Sequence, residues 1–300
     1  MKMKRSTDID MKKYENPELD QLLNEVVEEL RSDPVVAPTI KEMGLTVRQV
    51  KEGISILLDY RDDAHICASC PGFDRCPKGM PHLKISLDLY ENHLVRHDDF
   101  CDLFLEREKQ LRRFLRHDFP DAWLSLGMGD IDKSLKRDKV LKRLVKKLIH
   151  KDTGWLYLYG NRNIGKSYIM VSFANAFSDR VAKGNIYANT SRLLSELKED
   201  SINRSDIFQK RMAQCESVPL LVLDEFGTEF KSEYIFSQIL YPIVSERARN
   251  KRMTCFVSDF DPKAVEEMYA AKIGAAMAKQ FFEMIKGMGE AFGLEGADVY

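Results

Sequence analysis

The sequence lacks any long hydrophobic run. Its first residues, Met1 to Asp8, are mostly charged or polar and lead into further charged sequence, without the apolar centre of a secretory signal peptide. No later stretch approaches the roughly 18 apolar residues that a membrane-spanning helix needs. Internal repeats and low-complexity tracts are also lacking. We therefore expect a cytoplasmic globular protein with no membrane partner.

Cysteine is scarce, with 6 residues in 300, and a reducing cytoplasm disfavours disulfides. Most of the cysteines nevertheless fall in one segment, beginning with a C-x-x-C pair. Such a pair is the usual first half of a tetrahedral zinc site, because one tight turn aims two thiolates at one ion. A redox motif and small buried cysteines are the alternatives. The predicted zinc ligands are Cys67, Cys70, Cys76 and Cys101, with His82, His93 or His97 as replacements for Cys76.

Length and charge divide the chain. Three hundred residues with 44% apolar content suffice for two domains. Residues 1–105 carry 14 Lys and Arg against 20 Asp and Glu, whereas residues 106–151 carry 14 against 7. We predict an N-terminal domain over 1–105, a basic linker over 106–135 and a second domain over 136–300. The basic middle can contact phosphates, although an amphipathic helix with a solvated lysine face has the same composition.

The N-terminal domain is predicted to be small and mostly helical. Apolar spacing indicates a helix from Pro17 to Arg31, and a second helix from the capping residue Thr46 to about Tyr60. Two short helices leave a thin core for about 100 residues, so a bound metal would add folding free energy.

A phosphate-binding pattern opens the second domain. An alternating strand from Trp155 runs into G-x-x-x-x-G-K-S and then into helical sequence. In such a P-loop the backbone N–H groups surround the β-phosphate, Lys166 adds charge towards the β- and γ-phosphates, and Ser167 offers a hydroxyl to Mg²⁺. A glycine-rich turn that only resembles a P-loop is the alternative. The predicted nucleotide contacts are Gly160, Asn161, Arg162, Asn163, Ile164, Gly165, Lys166, Ser167 and Tyr168.

Two carboxylates, Asp224 and Glu225, end a hydrophobic strand that begins at Val218. We expect Asp224 to hold Mg²⁺ together with Ser167, and Glu225 to orient and polarise a water that attacks the γ-phosphate. A small-molecule kinase needs no water-activating glutamate, so the pair favours ATP hydrolysis, with Lys166 as the third catalytic group. An acidic cap of the following helix is the structural alternative.

A further buried strand over residues 253–257 is tipped by Ser258 and Asp259. It is expected beside the first strand, where Ser258 can sense the γ-phosphate. The Asp259 carboxylate is repelled there unless Mg²⁺ or another cation intervenes. Strands that alternate with helices predict an α/β fold, a parallel sheet covered on both faces.

Arginine is missing from residues 253–300. Many ATPases that act across subunit boundaries receive an arginine at the γ-phosphate from a neighbour, which raises the rate by orders of magnitude. Arg247 and Arg249 are the nearest candidates here. We therefore expect slow turnover by the isolated protein.

Together these segments resemble the bacterial replicative helicase loaders of the DnaI/DnaC family, within the AAA+ P-loop ATPases. Residues 158–167, 221–229, 239–247 and 253–259 carry the resemblance, in order and in spacing. The cysteine cluster ahead of the ATPase is typical of the DnaI branch. The DnaC branch and the transposition-helper ATPases of the IstB kind lack it.

The resemblance implies a zinc-bearing N-terminal domain that grips the hexameric replicative helicase, and an ATPase domain that binds ATP, Mg²⁺ and single-stranded DNA. Other primosomal proteins and ATP-dependent self-association are further implied partners. Arg247 matches a family arginine and joins the predicted nucleotide contacts. Two positions depart from the family, Asp259 for a usual asparagine and Met284 for a usual arginine. A nucleotide-gated adaptor with little hydrolysis and a transposition-helper DNA-remodelling ATPase are the alternative functions.

Overall fold

The computed structural model describes residues 17–132 and 135–295. Residues 1–16, 133–134 and 296–300 lie outside the described residues. They include the predicted start of the first domain, residue 1, and the predicted end of the second domain, residue 300. The chain divides into two compact units between Arg107 and Glu108, inside helix α5 (Asp102–Leu111). Within the described residues, no helix has the length and apolar character needed to cross a bilayer.

The N-terminal unit combines short helices with one antiparallel hairpin. Its elements are α1 (Pro17–Ser32), α2 (Val36–Glu42), α3 (Val47–Glu52), α4 (Ile54–Ala68), a 3-10 turn (Phe73–Arg75), β1 (Leu83–Tyr90) and β2 (His93–Phe100). The buried side chains of its small core are Val27, Leu30, Val36, Ile40, Leu45, Val50, Leu57 and Leu94.

Two features of this unit differ from the sequence expectation. The predicted capping box at Thr46 forms, but its helix ends at Gly53 and a new helix starts there. A Cβ at Gly53 would lie 2.8 Å from the Leu94 side chain, so β2 packs directly on this break. The hairpin itself was not predicted, although β1 alternates apolar and polar residues. Its two turn residues, Glu91 and Asn92, have φ of 48° and 66°, as a tight hairpin turn requires.

The C-terminal unit is built on a six-stranded parallel sheet in the order β3-β5-β6-β7-β4-β8. The strands are β3 (Phe114–His117), β4 (Trp155–Tyr159), β5 (Asn185–Asn189), β6 (Leu220–Asp224), β7 (Met253–Ser258) and β8 (Gly289–Gly293). This confirms the predicted α/β fold with a parallel sheet.

Helices cover both faces of this sheet. They are α6 (Leu135–His150), α7 (Lys166–Arg180), α8 (Thr190–Asn203), α9 (Ser205–Ser217), α10 (Glu233–Ile235), α11 (Tyr241–Arg249), α12 (Pro262–Ile273) and α13 (Ala275–Met288), with a π-helical turn (Phe236–Leu240) between α10 and α11. Successive strand residues enter opposite cores, as Trp155 and Leu156 do in β4. The central strands are buried on both sides, which explains their nearly continuous apolar sequence.

Part of the segment predicted as a linker over residues 106–135 belongs to the sheet of the C-terminal unit. Strand β3 pairs with β5 at one edge of the sheet. The arginines beside it are part of the fold: Arg113 pairs with Asp179 of α7 at 2.6 Å, and Arg116 pairs with Glu196 of α8 at 2.6 Å. The basic composition that indicated a linker therefore reflects ion pairs that attach an edge strand to two helices.

Candidate nucleotide-binding site

The candidate site lies at the carboxyl ends of the adjacent strands β4, β7 and β6, where open parallel sheets usually bind ligands. It is a cavity of about 510 Å³. Its lining residues are Trp123, Arg162, Asn163, Gly165, Lys166, Ser167, Tyr168, Asp224, Glu225, Thr228, Val257, Ser258 and Asp259. Most residues predicted from sequence line it, whereas Gly160, Asn161 and Ile164 shape the loop behind it and Arg247 lies elsewhere.

The loop between β4 and α7 requires glycine at both ends. Gly160 has a φ of 148°, and a Cβ there would lie 2.2 Å from the Leu294 carbonyl oxygen. Gly165 has a φ of 86° and is the N-cap of α7. The first N–H groups of α7 have no partner inside the helix and carry the positive end of its dipole. This end of the cavity therefore suits phosphate oxygens.

Lys166 points back onto its own loop and onto β7. Its Nζ donates to the carbonyl oxygens of Gly160 at 2.9 Å and Asn161 at 2.6 Å, and it contacts Asp259 Oδ1 at 2.9 Å. Arg162 Nε lies 2.7 Å from the other carboxylate oxygen of Asp259. Burial raises the pKa of Asp259, but the hydrogen bonds from Arg162 and Lys166 outweigh it and leave this pKa below its usual value.

Asp224 is half-buried at the end of β6. Tyr187 donates its hydroxyl to Asp224 Oδ2 at 2.7 Å, and the Glu225 backbone N–H donates to Oδ1 at 2.9 Å. Burial raises the pKa of Asp224, while hydrogen bonds from Tyr187 and Ser167 oppose the rise. The two predicted Mg²⁺ ligands, Ser167 and Asp224, both line the cavity. A hydroxyl and a carboxylate are the hard oxygen donors that Mg²⁺ prefers.

Glu225 is held by a residue that the sequence analysis missed. Asn189 Nδ2 donates to Glu225 Oε2 at 2.7 Å, while Asn189 Oδ1 accepts the backbone N–H of Arg192 and caps α8. Glu225 itself has a φ of 56°, unusual for a residue with a Cβ. Its position could have indicated this role, because Asn189 ends strand β5 and pairs in register with Asp224, the residue before Glu225.

Ser258, which is expected to sense the γ-phosphate, lines the cavity but uses its hydroxyl for hydrogen bonds within the fold. Its hydroxyl donates to the Phe226 carbonyl oxygen at 2.6 Å and accepts the Phe260 backbone N–H at 3.0 Å. The side chain is fully buried. Both hydrogen-bonding functions of the hydroxyl thus join the loops after β6 and β7, which leaves Asp259 as the polar side chain of this strand tip that faces the P-loop.

Arg247 is also a structural residue rather than a nucleotide contact. It is 0% exposed. Its guanidinium donates to Thr254 Oγ1 at 2.9 Å and to the carbonyl oxygens of Cys215 at 2.8 Å, Val218 at 2.9 Å and Met253. It therefore ties α9 and the start of β6 to β7, on the amino side of the sheet, and its predicted nucleotide role is corrected.

The four cysteines predicted to bind zinc all lie in the N-terminal unit. Among the residues that the structure describes, no three His, Cys, Asp or Glu side chains are placed to hold a metal ion. Cys101 donates its backbone N–H to the His82 carbonyl oxygen at 2.8 Å. The His82 ring stacks on the Phe73 ring, with the ring centroids 4.1 Å apart.

The chain was compared with known proteins. No protein-family model matches it. Over 270 residues, 84% of this chain and 84% of the relative, it is 19% identical to the replicative helicase loader DnaI of Bacillus subtilis strain 168.

Solved structures match its fold. A crystal structure of DnaI superposes with a TM-score of 0.53 at 22% identity and covers 64% of this chain and 100% of its own. A putative primosome component from Streptococcus pyogenes serotype M3 has the same TM-score and identity, covering 64% of this chain and 97% of its own. Along most of its length the chain is thus similar in sequence to a replicative helicase loader of the DnaI type, and the matched structures share its fold.

Proposed function

We propose that this protein is a cytoplasmic ATP-dependent loader of the replicative DNA helicase, a primosome component for initiation or restart of replication. The observation that carries the proposal is the meeting of Lys166, Asp224 and Glu225 at one edge of a parallel sheet. The chain that carries this site also matches a helicase loader over 84% of both lengths. The reaction is ATP hydrolysis of the AAA+ type. Its purpose is to change the conformation of the partner helicase.

Each group has a role in that reaction. Lys166 and the first N–H groups of α7 bind the phosphates, and Arg137 braces the loop by donating to the Ile164 carbonyl oxygen at 3.0 Å. Ser167 and Asp224 would hold Mg²⁺, which would supply positive charge to the phosphates. Glu225, oriented by Asn189, polarises the attacking water.

The nucleobase end of the site is assigned to two aromatic side chains. Trp123 and Tyr168 are the aromatic lining residues of the cavity, with ring centroids 5.5 Å apart and planes 83° apart. Tyr168 follows Ser167 at the start of α7. Their apolar faces fit a purine ring by stacking.

The N-terminal unit is assigned the helicase contact. It exposes several large apolar side chains, which a partner can cover. They lie on the hairpin and on the segments flanking it: Met80, Leu89, Tyr90, Phe100, Leu103 and Leu105. Tyr90, beside the turn of the hairpin, is the most exposed of them at 67%.

Replacing Tyr90 with Ser is expected to weaken helicase binding about tenfold, because exposed aromatic residues commonly supply binding hot spots. The full chain is mixed with the hexameric helicase of its source organism and Mg²⁺-ATP, and the complex is measured by gel filtration and calorimetry. Ile202→Ser is the matched control, since Ile202 is 70% exposed but lies in the C-terminal unit. Failure of the unaltered protein to bind the helicase would contradict the proposed function, whereas equal losses in both variants would contradict the assigned surface.

Single-stranded DNA is the second proposed partner. Helix α6 places cationic side chains on its solvent face, which can follow a phosphate backbone. Part of this charge is neutralised, because Lys142 lies 2.5 Å from Asp138 and Arg143 pairs with Glu290. Lys139 and Lys146 are further exposed cations of the same helix.

Zinc is proposed for the N-terminal unit on the spacing of its cysteines. Backbone N–H groups of His82 and Lys78 lower the pKa of the Cys76 thiol, which favours the thiolate that a metal needs. We expect about one zinc per chain in full-length protein purified without chelators. Elemental analysis checks this, and protein that is folded and free of zinc would contradict it.

A further inference from the structure

The ion pairs around Lys166 bear on which nucleotide the site prefers. Resting on the proposed ATPase function, we propose that Asp259 makes the site favour a nucleoside diphosphate over a triphosphate, because its carboxylate occupies the position on Lys166 that a γ-phosphate oxygen needs. Nothing in the resemblance to helicase loaders requires this, since the family usually has asparagine at this position.

The hydrogen bonds of Lys166 are fully assigned. An ammonium group has three N–H donors, and Lys166 Nζ has three acceptors: the carbonyl oxygens of Gly160 and Asn161 and the carboxylate of Asp259. A phosphate oxygen can therefore bind Lys166 only by displacing one of the three.

Asp259 is the acceptor that can leave. The two carbonyl oxygens belong to the loop backbone, and Gly160 is packed so closely that a Cβ would lie 2.2 Å from the Leu294 carbonyl oxygen. Asp259 is a side chain that can rotate about its Cα–Cβ bond. Arg162, whose side chain is largely exposed, can follow the carboxylate and keep its partner when Lys166 turns to a phosphate.

The position of Asp259 also affects the binding of the γ-phosphate differently from that of the α- and β-phosphates. A diphosphate can use the N–H groups at the start of α7 while the contact between Asp259 and Lys166 persists. A third phosphoryl group extends past Lys166 towards the ends of β6 and β7, where it meets the carboxylates of Asp224 and Asp259. Mg²⁺, which Asp224 would hold, would offset one of these charges. The other, on Asp259, is offset by Lys166 and Arg162 while these pairs persist. A γ-phosphate that takes Lys166 leaves Asp259 paired with Arg162 alone and is repelled by it more than a β-phosphate is.

The test compares nucleotide binding by the full chain and by Asp259→Asn. Calorimetry with Mg²⁺ measures the affinities for ADP and for an ATP analogue with a methylene bridge between its β- and γ-phosphates. We expect the unaltered protein to bind ADP more tightly. Asparagine keeps the shape without the charge, so Asp259→Asn should tighten binding of the analogue about tenfold and that of ADP by less than about threefold.

Asp261→Asn is the matched control. Asp261 is two residues further along and caps α12 by accepting the N–H groups of Lys263 and Ala264, a role that asparagine fills equally well. It should leave both affinities unchanged. Equal affinities for the two nucleotides in the unaltered protein, or equal changes for both in Asp259→Asn, would overturn the inference. Absence of any nucleotide binding would instead overturn the proposed ATPase function.

Discussion

Replacing Glu225 with Gln is expected to lower the ATP turnover of the protein about 100- to 10,000-fold, because an amide cannot polarise the attacking water as a carboxylate does. ATP binding should persist, since Lys166, Ser167 and Asp224 are unchanged. The hydrogen bond from Asn189 can be re-formed with the amide oxygen. Steady-state phosphate release measures the rate, and calorimetry measures the affinity.

The same variant distinguishes two of the functions considered above. A loader that depends on hydrolysis should stall, so the complex of Glu225→Gln with helicase and ATP should outlive that of the unaltered protein. A nucleotide-gated adaptor should load the helicase normally. Glu199→Gln, at an exposed position on α8, is the control. It should change neither the ATP turnover nor the lifetime of the helicase complex. Unchanged turnover in Glu225→Gln would exclude Glu225 as the catalytic base.

The unaltered protein itself is expected to turn over slowly when isolated. No arginine follows Arg252 in the sequence. Arg247 is committed to backbone carbonyls inside the fold, so it cannot reach the γ-phosphate of a neighbour. Arg249 is exposed and pairs with Glu246 at 2.6 Å, which makes it the nearer candidate if copies of the chain associate.

Replacing Arg247 with Met is expected to destabilise the C-terminal unit by about 3 to 5 kcal/mol. Methionine fills much of the volume but donates no hydrogen bond, so the carbonyl oxygens of Cys215, Val218 and Met253 would be left buried without their partner. Urea unfolding followed by tryptophan fluorescence measures the change. Both tryptophans of the chain, Trp123 and Trp155, lie in this unit.

Arg249→Met supplies the comparison for that measurement. Arg249 is an exposed arginine on the same helix, and its loss should cost less than about 0.5 kcal/mol. The nucleotide affinity of folded Arg247→Met should match that of the unaltered protein. A variant that kept full stability but lost nucleotide affinity would restore the role that Arg247 was assigned from the sequence.

The sequence predicted those parts of the molecule whose physics is local. The P-loop requires glycine where φ is positive or a Cβ has no room, and Gly160 and Gly165 meet these conditions. Strand β6 ends in carboxylates after an apolar run, so Asp224 and Glu225 were recognisable without a fold. The capping box at Thr46 depends on residues three positions apart and formed as predicted.

The sequence was less informative where a residue's role depends on distant partners. Strand β3 has only four residues, too few to show the alternation of apolar and polar residues that indicates a strand. The arginines in and beside it indicated a basic linker, because their partners Asp179 and Glu196 are distant in sequence. Asn189 lies 36 positions from Glu225. Ser258 and Arg247 have the residue types of nucleotide contacts, but buried carbonyl groups of the fold take their hydrogen bonds.

By itself, the sequence determined the P-loop, the acidic pair and the parallel α/β class, because spacing, glycine and apolar runs act within a few residues along the chain. Only the tertiary structure decided which polar groups remain free for a ligand. A side chain forms a limited number of hydrogen bonds, and the fold uses those of Ser258 and Arg247 for its own carbonyl groups. It leaves Lys166 paired with Asp259, a pair that a nucleotide can separate.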